Sequence, residues 1–161
     1  RFTSALGICN ETARPDLVGL KKPWLLLSAQ TAHDLAPYAV RVLAKVLPSQ
    51  NFNFEPLNWK GLDFRNRVGL AGGADKNATQ IKAWWNLGVG FIEVGTVTPH
   101  PQKANPGRVV ARDVRLGAVW NKLGFPSLGW EYVFRQLVAI KEKRDTPIFI
   151  NIGKNRSTPN E

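Results

Sequence analysis

The sequence predicts an α/β fold with parallel strands, preceded by a small amphipathic helical segment. Three observations predict it. An apolar strand at 68–71 runs into a Gly-rich turn and a helix, a second apolar strand follows at 91–94, and a third comes at 147–152 after another helical stretch. Strand–helix alternation is the pattern of an α/β layer, and right-handed crossovers make such strands parallel. A closed (β/α)8 barrel takes about 250 residues, so the chain from Val68 onward holds about three of its eight units. The expectation is therefore the N-terminal part of a barrel, incomplete, over 51–161.

The elements follow in order. Residues 1–14 show no periodicity and read as an irregular tail. Over 15–50 the expectation is a basic, amphipathic helical pair. Leu17, Val18, Leu20, Trp24 and Leu27 surround Lys21 and Lys22. Ser28 is suited to cap the second helix, in which Leu35, Ala39, Val42, Leu43 and Val46 recur at helical spacing. Pro37 should kink that helix or displace its start, and Pro48 ends it. The segment 58–66, NWKGLDFRN, predicts a short hairpin around Gly61. A helix over 77–87 turns Ile81 and Trp84 inward and closes at Gly88. Three prolines make 98–107 an ordered loop, and 108–114 suits an excursion hairpin. A long helix over 128–143 places Trp130, Val133, Phe134, Leu137 and Ile140 on one side. Its last turn, with Lys141, Lys143 and Arg144, complements the helix dipole.

Composition narrows the class. A hydrophobic content of 43% and a charged content of 21% fit a globular protein with a core. The net charge of +10 and pI near 10.2 point to an anionic partner: nucleic acid, a membrane surface or anionic small molecules. The basic residues are dispersed, with no run longer than a pair, which equally suits a solvated surface. The single cysteine, Cys9, excludes an internal disulfide and a cysteine-cluster metal site. No apolar stretch approaches the roughly 20 residues of a membrane-spanning helix. The first residue is Arg, so the reading places the true N-terminus further upstream.

The polar residues at the strand ends carry the chemistry. Gly72 and Gly73 follow the first strand and let a flat ring or phosphate approach the backbone. Ala74, Asp75 and Lys76 then open the helix, and a lysine at the C-terminal end of a barrel strand is placed to hold negative charge. A tight turn with a surface lysine fits the same residues. Thr96 ends the second strand. Asn151 ends the third, where an amide needs partners for both donor and acceptor. The segment NKLGF (Asn121, Lys122, Leu123, Gly124, Phe125) adds another amide and an aromatic. Together these suggest a polar, planar ligand. No Ser-His-Asp order and no metal-ligand spacing is present.

LAGGADKN, EVGTVTPHPQ, NKLGF and NIGKN, in this order and spacing, closely resemble dihydroorotate dehydrogenase. The helical segment, with AHDL at 32–35, resembles the class 2, membrane-associated, quinone-reducing branch. The resemblance implies an FMN-binding (β/α)8 barrel that oxidises dihydroorotate to orotate in pyrimidine synthesis. Gly72, Gly73, Ala74, Asp75 and Lys76 match the first FMN-contacting loop, and Thr96 and Asn151 match further flavin contacts. Lys76 and Asn121 to Phe125 match positions that hold orotate. His33 and Arg112 match residues beside the quinone tunnel. The serine base of class 2 has no counterpart here, since Ser157 does not match its motif, and the family's later phosphate-binding loops and the lysine at the flavin ring have none either. The chain alone is thus expected to bind FMN poorly and to be inactive. The resemblance implies a peripheral protein on the cytoplasmic face of a bacterial inner membrane, with no nucleic-acid partner and no metal. Two departures concern fine contacts: Pro126-Ser127 stands where many members have two asparagines, and Ala71-Gly72-Gly73 where many have Ala-Ala-Gly. The rival readings are another FMN-barrel oxidoreductase, class 1-like or acting on dihydropyrimidines, and a non-catalytic basic fragment that binds membranes or nucleic acid.

Overall fold

The computed structural model describes residues 22–50, 52, 54–140 and 146–159. The expected tail with Cys9, the start of the first helix of the pair, and Lys141, Lys143 and Arg144 lie outside them. The described chain is an α/β structure. A single 3-10 turn, Pro23–Leu26, stands where the end of the first helix was expected. Helix α1 is Ala29–Val46. The hairpin β1 (Leu57–Trp59) and β2 (Leu62–Phe64) leads to strand β3 (Gly69–Asp75). Helix α2 (Ile81–Asn86), strand β4 (Phe91–Val97) and the hairpin β5 (Val110–Asp113) and β6 (Ala118–Asn121) follow. Helix α3 (Trp130–Val138) and strand β7 (Ile148–Ile152) complete the order. Strands β3, β4 and β7 form a parallel sheet with β4 central.

The local chemistry accounts for these bounds. Ser28 accepts the Thr31 N–H at 3.0 Å and starts α1. Pro37 lies inside the helix without displacing that start. Lys60 and Gly61 both take positive φ, 50° and 78°, which gives the two-residue turn that joins β1 to β2. Helix α2 begins later than expected, at Ile81, because the Asp75 carboxylate accepts the N–H groups of Thr79 and Gln80 at 2.9 and 2.8 Å and holds the preceding residues as a turn. Gly88 closes it, as expected, donating to Trp85 O at 3.0 Å.

The main core lies between the sheet and its two helices. Ile92, Val94 and Val97 of β4 meet Ile81 and Trp85 of α2 and Val133 of α3. Two inward faces go beyond or differ from expectation. Trp84 packs against this core as expected, and Trp85, one turn from Ile81, is buried more deeply. The inward stripe is Val133 and Leu137 of α3 with Ile140 just past its end, whereas Trp130 and Phe134 pair with each other on the outer flank at 6.4 Å. Phe64 of the first hairpin packs against Phe91 and Phe149, at 5.8 and 6.3 Å, and closes the N-terminal end of the sheet. Helix α1 meets the second hairpin in a small core of Ala29, Val109 and Val110. No helix among the described residues is long and apolar enough to cross a membrane.

Candidate functional site

With Phe64 closing one end, the polar strand ends open at the other. Here the ladders lose register. The chain takes five steps from Leu70 to Asp75 on β3 while β4 takes two from Ile92 to Val94, so residues 71–74 bow out of the sheet. Strand β4 likewise inserts a residue between Val94 and Val97 relative to β7. The bowed backbone leaves a cleft of about 450 Å³ lined by Gly72, Gly73, Lys76, Thr96, Asn151 and the whole 121–125 segment. The structure therefore brings together every residue expected at the strand ends except Ala74 and Asp75.

Those two have other places. Both Asp75 carboxylate oxygens are engaged by the Thr79 and Gln80 N–H groups, so Asp75 shapes the turn that presents Lys76. Ala74 lines a second cavity of about 490 Å³ between α1 and the start of α2. Its walls include His33, Asp34, Ala36, Pro37, Val40, Gln80 and Trp84, and it shares Gly73 and Lys76 with the first. His33 thus meets Lys76 across the second cavity. Arg112 is not in that wall. Its guanidinium donates to the carbonyls of Trp24 and Leu25 at 3.1 and 3.0 Å, and to that of Leu27, and so ties the 3-10 turn to β5.

The first cleft is organised by a chain of polar contacts. Thr96 Oγ1 donates to Asn151 Oδ1 at 2.8 Å, and Asn151 Nδ2 donates to Glu93 Oε1 at 3.0 Å. This fixes which way the Asn151 amide faces. A Cβ on Gly72 would stand 2.6 Å from Glu93 Oε1 and push that carboxylate off Asn151. Gly73, at φ +94°, has open space where a Cβ would be, and its conformation disfavours any side chain that could fill it. The NKLGF segment is held from outside. Gln102 Nε2 donates to the carbonyls of Gly124 and Phe125 at 3.2 and 2.9 Å, and Asn105 Nδ2 donates to Lys122 O at 2.7 Å. Asn155, buried beyond β7, accepts the His100 N–H at 2.9 Å and donates to Gln102 Oε1 at 3.2 Å.

Sequence reasoning passed over Glu93, Asn105, Gln102 and Asn155. Glu93 carried a usable signal, a carboxylate inside an apolar strand just before Gly95-Thr96. The others lie in quoted motifs, but their partners are loop carbonyls that spacing does not reveal. Electrostatics concentrate at Lys76. Burial holds its ammonium below the ordinary lysine value, against the raising influence of the Asp75 and Asp34 carboxylates. Burial also lowers the His33 imidazole below 6.5, with Lys76 adding to the effect and Asp34 opposing it. Among the described residues, no cluster of His, Cys, Asp or Glu is arranged to hold a metal ion.

This arrangement can hold a planar, polar molecule against the glycines, with a cation at one edge and amides at another. Comparison with known proteins identifies the family. The family model described as dihydroorotate dehydrogenase matches residues 56–161. A protein from Xylella fastidiosa (strain M12) named dihydroorotate dehydrogenase (quinone) is 52% identical over 143 residues, covering 85% of this chain and 40% of that protein. One of the same name from Methylobacillus flagellatus is 41% identical over 153 residues, covering 90% of this chain and 44% of its own length. The structure is similar to the crystal structure of the Eimeria tenella enzyme in complex with ferulenol, at TM-score 0.66 and 35% identity, covering 81% of this chain and 37% of that one. The chain spans about two fifths of the length of the curated relatives it matches. The chain belongs to the dihydroorotate dehydrogenase family.

Proposed function

We propose that the chain is the first part of an FMN-dependent enzyme that oxidises dihydroorotate to orotate and passes the electrons to a quinone. The observation that carries this reading is the cleft at the strand ends, where Lys76, Thr96, Asn151 and the NKLGF segment converge. The residues fit a flavin: Gly72 and Gly73 leave a flat, open wall, and the oriented Asn151 amide offers polar edges beside it. The bound flavin would supply the two-electron acceptor. Lys76 would offset the substrate carboxylate, and Asn121 and Asn151 would read the donor–acceptor edge of its ring. The second cavity, with His33 and its apolar wall of Ala36, Pro37, Val40 and Trp84, would admit the quinone. Arg112 would act on that site indirectly, through the turn it ties down. The proton acceptor would come from a serine in the later part of the protein.

The reading extends to location. Helix α1 leaves Tyr38, Val42 and Val46 largely exposed, and this face would lie against an anionic membrane surface as a peripheral attachment, at the cytoplasmic side of a bacterial inner membrane. The barrel would be completed by further units pairing with β3 and β7, the two open edges of the sheet. On its own this chain would bind FMN weakly and turn over no dihydroorotate.

The test is Lys76→Ala in the full-length protein that carries this segment. Loss of the charge partner should weaken orotate binding about tenfold, because a hydrogen bond to a charged group at a half-buried site is worth about 1.5–3 kcal/mol. Equilibrium dialysis measures it. Orotate affinity and flavin reduction by dihydroorotate that are both unchanged would remove the assignment.

A further inference from the structure

Two cavities meet at one half-buried cation. Lys76 and Gly73 belong to the walls of both, so nothing thicker than this turn separates the strand-end cleft from the cavity under α1. On the far side Lys76 faces His33 and Asp34 of α1; Asp75, its neighbour in sequence, has both carboxylate oxygens on backbone N–H groups. We infer that Lys76 couples the two cavities, so that an anionic ligand in the strand-end cleft and an uncharged apolar ligand under α1 each strengthen the binding of the other. The inference rests on the proposed reading, with orotate as the first ligand and a quinone as the second.

The sign follows from solvation. Helix α1 offers Ala36, Pro37 and Val40, and α2 offers Trp84, as an apolar surround, so an apolar occupant there expels the water that now reaches Lys76. With less water the ammonium is costlier to keep charged, and an opposite charge nearby is worth more. A carboxylate in the strand-end cleft supplies that charge. Its presence therefore lowers the cost of filling the second cavity, and by thermodynamic reciprocity a filled second cavity tightens the carboxylate. Asp34 competes for the same role from the α1 side. Removing its charge leaves Lys76 more dependent on the ligand, which enlarges the coupling rather than abolishing it. A residue with only a structural part would not move the coupling in that direction.

The experiment is equilibrium dialysis of orotate against the flavin-loaded full-length protein, with and without a saturating short-chain ubiquinone. The flavin stays oxidised and no turnover occurs. The expected result is an orotate Kd about fivefold lower with the quinone present, the low end of measured site-to-site coupling. The ratio should fall to one in Lys76→Gln and rise above the parent value in Asp34→Asn. With dialysis of the quinone itself showing that it binds, a ratio of one in the parent, or one that survives Lys76→Gln intact, overturns the coupling alone; a quinone that does not bind overturns the reading of the second cavity and the coupling with it. Failure of orotate to bind under either condition overturns the proposed function and the coupling with it.

Discussion

The central strand β4 buries Ile92 and Val94 completely, whereas α1 leaves Tyr38, Val42 and Val46 at 65, 58 and 74% exposure. Both carry an apolar pattern of the proper period, so the pattern alone does not say what will cover it. In the sheet, α2 and α3 supply the cover, and their side chains pack with those of β4 into one buried cluster. On α1 most of the apolar stripe turns outward, and the helix is held by the small Ala29 core at its start and by polar ties. Arg41 Nε donates to Gln80 Oε1 at 3.0 Å, and Arg112 grips the turn before the helix. The sheet thus holds the fold together, and α1 is a clasped surface element free to meet something else.

The largest expected effect breaks the sheet side of this comparison. Ile92→Ala removes methyl groups from a fully buried core position and should cost about 2–5 kcal/mol in urea unfolding. Val42→Ala on α1 should stay within about 0.5 kcal/mol. Similar losses at the two positions would show that α1 is packed as tightly as the sheet.

A smaller effect is expected at the junction. Asp75→Asn retains one acceptor where the carboxylate now provides two, leaving one of the Thr79 and Gln80 N–H groups weakly satisfied. The cost should be about 1–2 kcal/mol, that of a lost N-terminal cap. The turn that presents Lys76 should loosen with it, so orotate affinity should fall alongside stability. Stability that falls while orotate affinity holds would separate the turn from the site.

These positions also show what the sequence made legible. Elements governed by neighbours in the chain were readable: the Ser28 cap, the Lys60-Gly61 hairpin and the Gly88 stop each depend on contacts a few residues apart. The strand-end residues Gly72, Lys76, Thr96 and Asn151 were readable too, because the C-terminal ends of parallel strands share one face by topology alone. What escaped depends on distant partners. That Trp85 is buried more deeply than Trp84 is decided by the elements packed on α2, not by α2 alone. Arg112 looked like a site residue but grips carbonyls more than 80 positions earlier in the chain. The second cavity exists only because α1 lies across the β3–α2 turn, an arrangement with no local signature.

The smallest expected effect is on pH dependence, and it reads the clasp directly. His33 lies on α1 but is depressed by its surroundings, first by burial against the β3–α2 turn and then by Lys76. Above its ordinary value of 6.5, His33 is neutral in both folded and unfolded chains and gives no pH slope. As pH falls through 6.5 toward the lower folded value, the unfolded chain takes up the proton first, so stability declines across that window. Below the folded value both states are protonated and the slope vanishes. His33→Gln should flatten this segment of the stability–pH curve, measured by urea unfolding at fixed ionic strength. Lys76→Gln should shift its lower edge upward, since the imidazole then protonates more readily in the folded state. A parent and a His33→Gln variant with the same slope would mean that α1 does not stay seated on the turn in solution, and the contrast between a packed sheet and a clasped helix would become one between a folded sheet and a detached helix.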